Sequence, residues 1–166
     1  MTPEQAKLLL KVFADTMKSE SELTQKVIRA IPEDKKSYKP DPKSMSAHEL
    51  AWHLATAECW FLDIVLDGKI TMTETPPPAP PTIPAILEWY QINYKERVLK
   101  LEQVPADKLT TVIPFFGLME LPAVSYLNFM NLHTAHHRGQ LSTYLRPMGS
   151  KVPSIYGGSA DEPFQG

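Results

Sequence analysis

The chain has 166 residues, of which 43% are hydrophobic, and a formal net charge of −2. This length is enough for one well-buried core and short for two, so we expect a single domain spanning residues 1–166. Lys and Arg do not cluster, which argues against a nucleic-acid surface, and no apolar run approaches the ~20 residues of a membrane span.

The first predicted helix runs from about Pro3 to Ile31. Thr2 is a suitable N-cap, and Pro3 suits the first helical position because the N–H that proline lacks has no partner there. Pro32 ends the helix. Apolar residues recur at helical spacing and form the expected inward stripe, which consists of Ala6, Leu10, Phe13, Met17, Val27 and Ile31.

The start of the second predicted helix is marked by Ser46 and Glu49, whose spacing is that of a capping box. Gly68 ends this helix. Its inward stripe contains a histidine among apolar residues, in the order Leu50, His53, Ala57, Trp60 and Ile64.

A proline-rich segment, TMTETPPPAPPTIPAI, follows the second helix. Each proline holds φ near ~−65° and removes a backbone donor, so the segment favours an extended, polyproline-like connection. A connection of this length can carry the chain back along the bundle, and we therefore expect the third helix to run parallel to the second. The third helix spans about Ile83 to Val104 and ends before Pro105, with an inward stripe of Leu87, Tyr90, Tyr94, Val98 and Leu101.

Residues 110–120 resemble a short extended segment or turn. Pro122 is then expected to open the fourth helix, which runs to about Arg146. Gly139 is a poor helix former in its interior, and it either allows another helix or a partner subunit to pack closely or leaves room beside a bound metal. The inward stripe of this helix reads Tyr126, Met130, His133, His137, Gln140 and Tyr144.

Three histidines on inward faces form the candidate functional site. His133 and His137 are four residues apart, so both imidazoles lie on one face of the fourth helix, and His53 can approach them from the second helix. Three imidazoles from two helices would leave a divalent cation at least one open position, as in catalytic metal sites. Two other interpretations fit the spacing: hydrogen-bonded core histidines, and a pair formed by His133 and His136.

These histidines lie in two segments that carry a family resemblance. The segment HTAHHRGQLSTYLRPMG, the VPSIYG ending, and HELAWHLATAE on the second helix resemble the DinB/YfiT superfamily of metal-binding four-helix bundles. The resemblance covers nearly the whole chain. It implies an all-α four-helix bundle with a long crossover between helices 2 and 3. By the same resemblance the metal ligands are His53, His133 and His137, and His136 is not one.

Some members of that superfamily use a low-molecular-weight thiol in transferase or isomerase reactions. We therefore expect a metal-dependent enzyme of the thiol-transferase or hydrolase kind that acts on a small-molecule substrate. Nitrogen ligands accept zinc, nickel, iron and cobalt, of which zinc and nickel are favoured here. The alternative is a noncatalytic, metal-stabilised or metal-sensing bundle that acts through a partner. The resemblance implies a homodimer, as do apolar residues that one core leaves incompletely buried, namely Trp89, Phe129 and Met130.

Arg97 and Tyr156 are candidate pocket residues. Arg97 lies where the third stripe becomes polar, as Glu20 and Thr24 do on the first helix. Such residues are either exposed or line a polar cavity, in which Arg97 could bind a substrate carboxylate through its guanidinium fork. The tail after residue 150 either places Tyr156 at the mouth of the metal cavity as a lid or covers the end of the bundle.

Three further residues near the histidines have predicted roles. Arg138 is expected to turn away from the ligand face and to pair with Glu58 on the second helix. Gln140 is expected to face inward, where it satisfies a backbone group or binds the second nitrogen of a ligand. Cys59 is rotated off the ligand face, so we interpret it as a packing residue and not as a nucleophile. A lone cysteine is consistent with a reducing compartment, and we expect a cytoplasmic location.

Overall fold

The computed structural model describes residues 1–72 and 77–164. In chain order its α-helices are α1 (Pro3–Arg29), α2 (Ala47–Asp67), α3 (Ile83–Leu101), the short α4 (Ala106–Leu109) and α5 (Ser125–Leu145), and a 3-10 turn at Glu33–Lys35 lies between α1 and α2. Two short strands, β1 (Val112–Phe115) and β2 (Met119–Pro122), form an antiparallel hairpin before α5. The predicted all-α four-helix bundle is confirmed, with α1, α2, α3 and α5 as its helices. Among the described residues, no helix combines the length and apolarity needed to cross a membrane.

Local capping sets the helix ends that the sequence predicted. The Thr2 hydroxyl accepts from the N–H of Gln5, and the Gln5 side chain accepts from the N–H of Thr2. Ser46 and Glu49 form the same reciprocal pair at the start of α2. At the end of α2, Gly68 adopts a left-handed conformation with φ 72°, which glycine reaches without steric cost.

The four long helices form a ring in which α1 and α2 are diagonal, and each of them packs on α3 and α5. Glu58 of α2 contacts Tyr90 of α3, and the later residue Asp63 of α2 contacts the later residue Arg97 of α3. Residue numbers therefore increase in the same direction along both helices, which are parallel. The third-helix direction predicted from the crossover is therefore correct. Contacts between α2 and α5 run in opposite directions, so those two helices are antiparallel.

The described parts of the connection between α2 and α3, residues 69–72 and 77–82, lie along the surface of α2. The indole N–H of Trp60 donates to the carbonyl of Thr71 at 3.2 Å, and that of Trp52 donates to the carbonyl of Pro77 at 3.1 Å. Nearer the start of α2, His48 Nε2 lies 2.7 Å from the carbonyl oxygen of Pro80. Residues 73–76 of the segment predicted to be extended lie outside the described residues, and residues 69–72 and 77–82 contain no helix.

The hairpin corrects the predicted start of the last helix. Pro122, expected to open that helix, instead pairs with Val112 at the end of β2, and α5 begins at Ser125. Proline suits a strand end for the same reason that it suits a helix start, because neither position requires its missing N–H. The hydroxyl of Tyr126 donates to the carbonyl of Ile113 at 2.9 Å and joins the hairpin to α5.

A charged side chain, that of Arg138, is buried between α1 and α5 and is only 1% exposed. Its Nη2 lies 2.5 Å from a carboxylate oxygen of Glu20, and its Nη1 donates to the backbone carbonyl of Glu20 at 3.0 Å. The prediction that Arg138 pairs with Glu58 is therefore wrong, because its carboxylate partner is supplied by α1. Of the two alternatives predicted for Glu20 and Thr24, exposure to solvent is also wrong. Thr24 is fully buried, and the Glu20 side chain is only 14% exposed.

Glu58 is buried beside this pair and has its own hydrogen bonds. The hydroxyl of Tyr90 donates to one carboxyl oxygen, and the hydroxyl of Thr24 lies 3.3 Å from the other. Burial raises the pKa of Glu58 to about 7, although the hydrogen bonds and the charge of Arg138 oppose that rise. The carboxyl is therefore largely protonated in the folded protein at mildly acidic pH.

Glu58→Gln should make the bundle less sensitive to rising pH. Below about pH 4.5 the Glu58 carboxyl is protonated in both the folded and unfolded states. Above that pH the unfolded chain releases the proton first, because the folded pKa is raised, so the wild type loses stability until the pH passes about 7. The full pKa difference corresponds to about 3 kcal/mol, and glutamine does not ionise.

The measurement is urea unfolding of both proteins between about pH 4.5 and 8, with a chelator present so that metal binding does not contribute. We expect the stability of the variant relative to the wild type to increase across this range. A stability difference between the two proteins that stays constant with pH would contradict a buried carboxyl with a raised pKa. The histidines are the same in both proteins, so their titration cancels in this difference.

Candidate metal centre

Three imidazoles converge where α2 faces α5. His53 of α2 meets His133 and His137 of α5, and one nitrogen of each ring lies within 4.8 Å of the corresponding nitrogens of the other two. The Nε2 atoms of His53 and His133 are 3.3 Å apart. Zinc–nitrogen bonds of ~2.0–2.1 Å in tetrahedral geometry place ligand nitrogens ~3.3–3.4 Å apart, so this separation fits coordination to one ion. All three rings are half-buried.

The helices bring these rings together through ordinary packing. His133 and His137 are one turn apart on α5, and their ring centroids are 4.4 Å apart. Phe61 of α2 packs edge-on against both Phe129 and His133, with centroid separations of 5.3 Å and 5.4 Å. These contacts hold the antiparallel pair of helices in the register that places His53 opposite the two α5 histidines.

The protonation state of the cluster favours metal binding. Burial and the neighbouring imidazoles lower the pKa of His133 to about 4, and burial is the main cause of the lowered pKa of His53 and His137. All three rings are therefore neutral near pH 7, as coordination requires. In the described part of the chain the buried Nδ1 atom of His133, on the side of the ring away from His53, has no hydrogen-bond partner that would orient this ring.

Gln140 orients one of the three rings. Its side-chain oxygen lies 2.7 Å from Nδ1 of His137, which leaves Nε2 of that ring free to act as a ligand. Gln140 is exposed, so the prediction that it faces the interior is wrong, while the predicted alternative of a bond to a ligand's second nitrogen is present. His136 is also exposed and is not part of the cluster.

A cavity of about 520 Å³ lies beside His53, between α2, α3, the crossover and the hairpin turn. Arg97 lines this cavity, but its guanidinium fork already binds Asp63, with Nε–Oδ1 and Nη2–Oδ2 distances of 2.8 Å and 3.0 Å. Binding of a substrate carboxylate by that fork, as predicted, would require Asp63 to be displaced. The other lining residues are Thr56, Ala57, Cys59, Trp60, Met72, Pro77, Trp89 and Phe116.

Cys59 and Tyr156 are the other two residues near the site whose roles were predicted from the sequence. Burial raises the pKa of the Cys59 thiol to about 12, so the thiol stays protonated near neutral pH, in agreement with its predicted role as a packing residue. Tyr156 does not line the cavity beside His53, and its hydroxyl binds Arg138 and Glu20 instead. The prediction that Tyr156 restricts access at the cavity mouth is thus not supported. The tail covers the α1–α5 side, where Lys26 binds Ser154 at 3.0 Å.

The sequence of this chain matches a family model over most of its length. The model is that of the DinB family, and it matches residues 4–164. The chain belongs to the DinB family. The predicted resemblance is therefore confirmed, and two crystal structures of DinB-like proteins share the bundle fold. One is YjoA from Bacillus subtilis, with 27% identity, a TM-score of 0.69, and coverage of 86% of this chain and 96% of YjoA.

The second structure is a DinB-like protein from Bacillus cereus ATCC 10987. It has 28% identity and a TM-score of 0.74, and the match covers 87% of this DinB-family chain and 95% of the other. Among curated relatives, the uncharacterized protein YrdA of Bacillus subtilis (strain 168) is 26% identical over 154 residues, which is 90% of this chain and 89% of YrdA. These relatives are similar over nearly the whole bundle.

Sequence reasoning missed Asp63, the partner of Arg97. The signal was present in the spacing, because His53, Thr56, Trp60 and Asp63 recur at steps of three and four and form a half-buried stripe on α2. This stripe shares His53 and Trp60 with the predicted inward stripe of the same helix and differs from it at Thr56 and Asp63, which stand one position before Ala57 and Ile64. All four of its members line the cavity.

Replacing any one of His53, His133 and His137 with alanine should lower zinc affinity by at least about 100-fold, because each ring supplies one of three converging nitrogens. Gln140→Ala should cost about tenfold, since it removes only the orienting contact to His137. Competitive titration against a chromogenic chelator would measure these affinities.

His136→Ala is the matched control and should bind zinc as the wild type does, because this exposed neighbour lies outside the cluster. Full zinc affinity in any one of the three ligand variants would contradict the assignment. Equal losses in His136→Ala and His137→Ala would point to a nonspecific effect of changing α5.

Proposed function

We propose that this DinB-family protein is a metal-dependent enzyme of the thiol-transferase or hydrolase kind, with His53, His133 and His137 as the metal ligands. The observation that carries the proposal is the convergence of three neutral imidazoles beside a cavity of about 520 Å³. Three protein ligands leave at least one coordination position for water or substrate, which is the pattern of catalytic sites. Zinc or nickel suits the nitrogen ligands, and iron or cobalt is compatible with them.

Such an ion, when bound, supplies Lewis acidity and lowers the pKa of a coordinated water or thiol toward neutrality. The protein's own residues have three tasks around it. Gln140 holds His137 in one ring orientation, Phe61 packs against His133, and His53 forms part of the wall of the adjacent cavity. A reacting molecule in that cavity would thus lie next to the ligand cluster.

A thiol reaction would need a thiol from outside the chain. Cys59 is the only cysteine, and its buried thiol stays protonated near neutral pH. A low-molecular-weight thiol would therefore enter as a separate molecule, as the proposal requires. The alternative is a noncatalytic bundle that a metal stabilises and that acts through a partner.

Metal analysis of protein purified without an affinity tag should find about one divalent ion per chain. Thiol-conjugation and ester-hydrolysis screens should then show turnover with the zinc- or nickel-loaded protein and none after chelation. His133→Ala is the control, because it removes one ligand and leaves the cavity lining unchanged. Bound metal that raises the unfolding midpoint without any turnover would favour the noncatalytic alternative.

We also propose that the protein is a homodimer that packs through the exposed face of α5. This face contains Leu132, which is 62% exposed, and Gly139, where an added Cβ would meet nothing within 4 Å. No other helix of the same chain therefore packs closely on Gly139, and the glycine is not needed to make room beside the histidine cluster. It does leave space for a helix of a partner subunit. The residues from which the sequence predicted a dimer contribute less, because Met130 is only 1% exposed and Trp89 and Phe129 are half-buried.

Light scattering should therefore give a dimer for the wild type and a monomer for Gly139→Leu. The matched control is Gly157→Leu, which adds the same side chain at another glycine with open space and should remain dimeric. A monomeric wild type, or a dimeric Gly139→Leu, would overturn the proposed interface.

A further inference from the structure

Aromatic side chains form the walls of the cavity beside His53. Trp60 comes from α2, Trp89 from α3 and Phe116 from the hairpin turn. Two of these rings are held by neighbours, since the Trp60 indole N–H donates to the carbonyl of Thr71 and Trp89 packs edge-on against Trp52 at 4.6 Å. A cavity of this size with fixed aromatic walls fits a flat, apolar molecular body.

The polar end of the cavity carries no net charge. Arg97 and Asp63 form two parallel hydrogen bonds, and Nη1 of Arg97 donates to the backbone carbonyl of Asn93 at 3.0 Å. An anion would find the guanidinium fork occupied, and a cation would find the carboxylate charge neutralised. The carboxylate still has lone pairs beyond the two that Arg97 uses, and its side chain is 41% exposed. Asp63 can therefore accept a hydrogen bond from an uncharged ligand.

The hairpin turn holds one wall of the cavity in an unfavourable backbone conformation. Phe116 has φ 50° and the next residue, Gly117, has φ 74°. Turns with positive φ at both central residues favour Asn, Asp or Gly, because a side chain with a Cβ is strained there. Phe116 is 56% exposed, so core packing does not account for a bulky ring at this position. The ring packs edge-on against Phe115 at 4.9 Å and lines the cavity, where a bound molecule would contact it.

We propose that this cavity binds an uncharged aromatic compound, with its ring between Trp60, Trp89 and Phe116 and a hydrogen-bond donor directed at Asp63. That this compound is the substrate of the enzyme rests on the proposed function. Binding itself uses cavity residues that are present without a metal, so it is measurable on the metal-free protein.

The test is calorimetric titration of the full-length, metal-free protein with three ring compounds that differ in charge: naphthol, naphthoate and naphthylmethylammonium. Naphthol should bind saturably and at least about tenfold more tightly than either charged compound. The charge of naphthoate or naphthylmethylammonium would lose its hydration in the cavity, and Arg97 and Asp63, which already neutralise each other, would not compensate that loss. Failure of naphthol to bind, or equal or tighter binding of a charged probe, would overturn the proposal.

Phe116→Asn separates ligand binding from stability. It removes one wall and relieves the turn, so naphthol affinity should fall about fivefold or more while the urea midpoint stays equal or rises. Leu118→Asn is the matched control, since Leu118 lies in the same turn, is 79% exposed and does not line the cavity. Equal effects of the two variants on naphthol affinity would count against a binding role for Phe116.

Asp63→Asn tests the charge argument directly. The variant leaves the charge of Arg97 uncompensated, so naphthoate should gain at least about tenfold in affinity relative to naphthol. An unchanged preference would contradict the neutral-pair explanation. Failure of the proposed function is distinguishable from failure of this inference: naphthol binding without turnover leaves the ligand class intact, whereas metal-dependent turnover without naphthol binding removes only the ligand class.

Discussion

The ion pair between Arg138 and Glu20 fixes the rotation of the helix on which the candidate metal centre depends. Successive residues of an α-helix point about 100° apart, so a helix that directs Arg138 at α1 necessarily directs His137 elsewhere. In this bundle that direction is toward His53 on α2. A buried charge is costly without its partner, and any other rotation of α5 would separate Arg138 from Glu20. The pair therefore excludes alternative orientations of α5 and holds two histidines in place.

The parts that could be predicted from the sequence are those that local chemistry determines. Capping residues located the starts of α1 and α2, and Gly68 located the end of α2, whereas Pro122 misplaced the start of α5. The three histidines followed from helical spacing together with the family resemblance. The partner of Arg138 could not be found in this way, because spacing gives the face of a residue but not the helix opposite that face. Glu20 and Glu58 are both acidic residues in neighbouring helices, and only the packing of α1 against α5 distinguishes them.

The errors around the site have related causes. Gln140 continues the stepwise pattern of α5, but the helix turns gradually relative to that pattern and leaves the residue exposed, where it still reaches His137. Phe116 could not be recognised as a cavity wall, since its position depends on a hairpin turn that its own residue type disfavours. Local preference and tertiary structure disagree there, so residue type alone predicts neither the turn nor its place beside the cavity.

The diagonal arrangement of α1 and α2 has a consequence for folding during synthesis. A chain that has emerged only through α2 holds two amphipathic helices whose main packing partners, α3 and α5, are not yet made. The first two helices therefore bury little of their apolar surface against each other, and their apolar faces stay exposed until α3 and α5 are made. Because α5 packs on both members of the diagonal pair and carries two of the three histidines, the hydrophobic core and the histidine cluster are completed in the same late event.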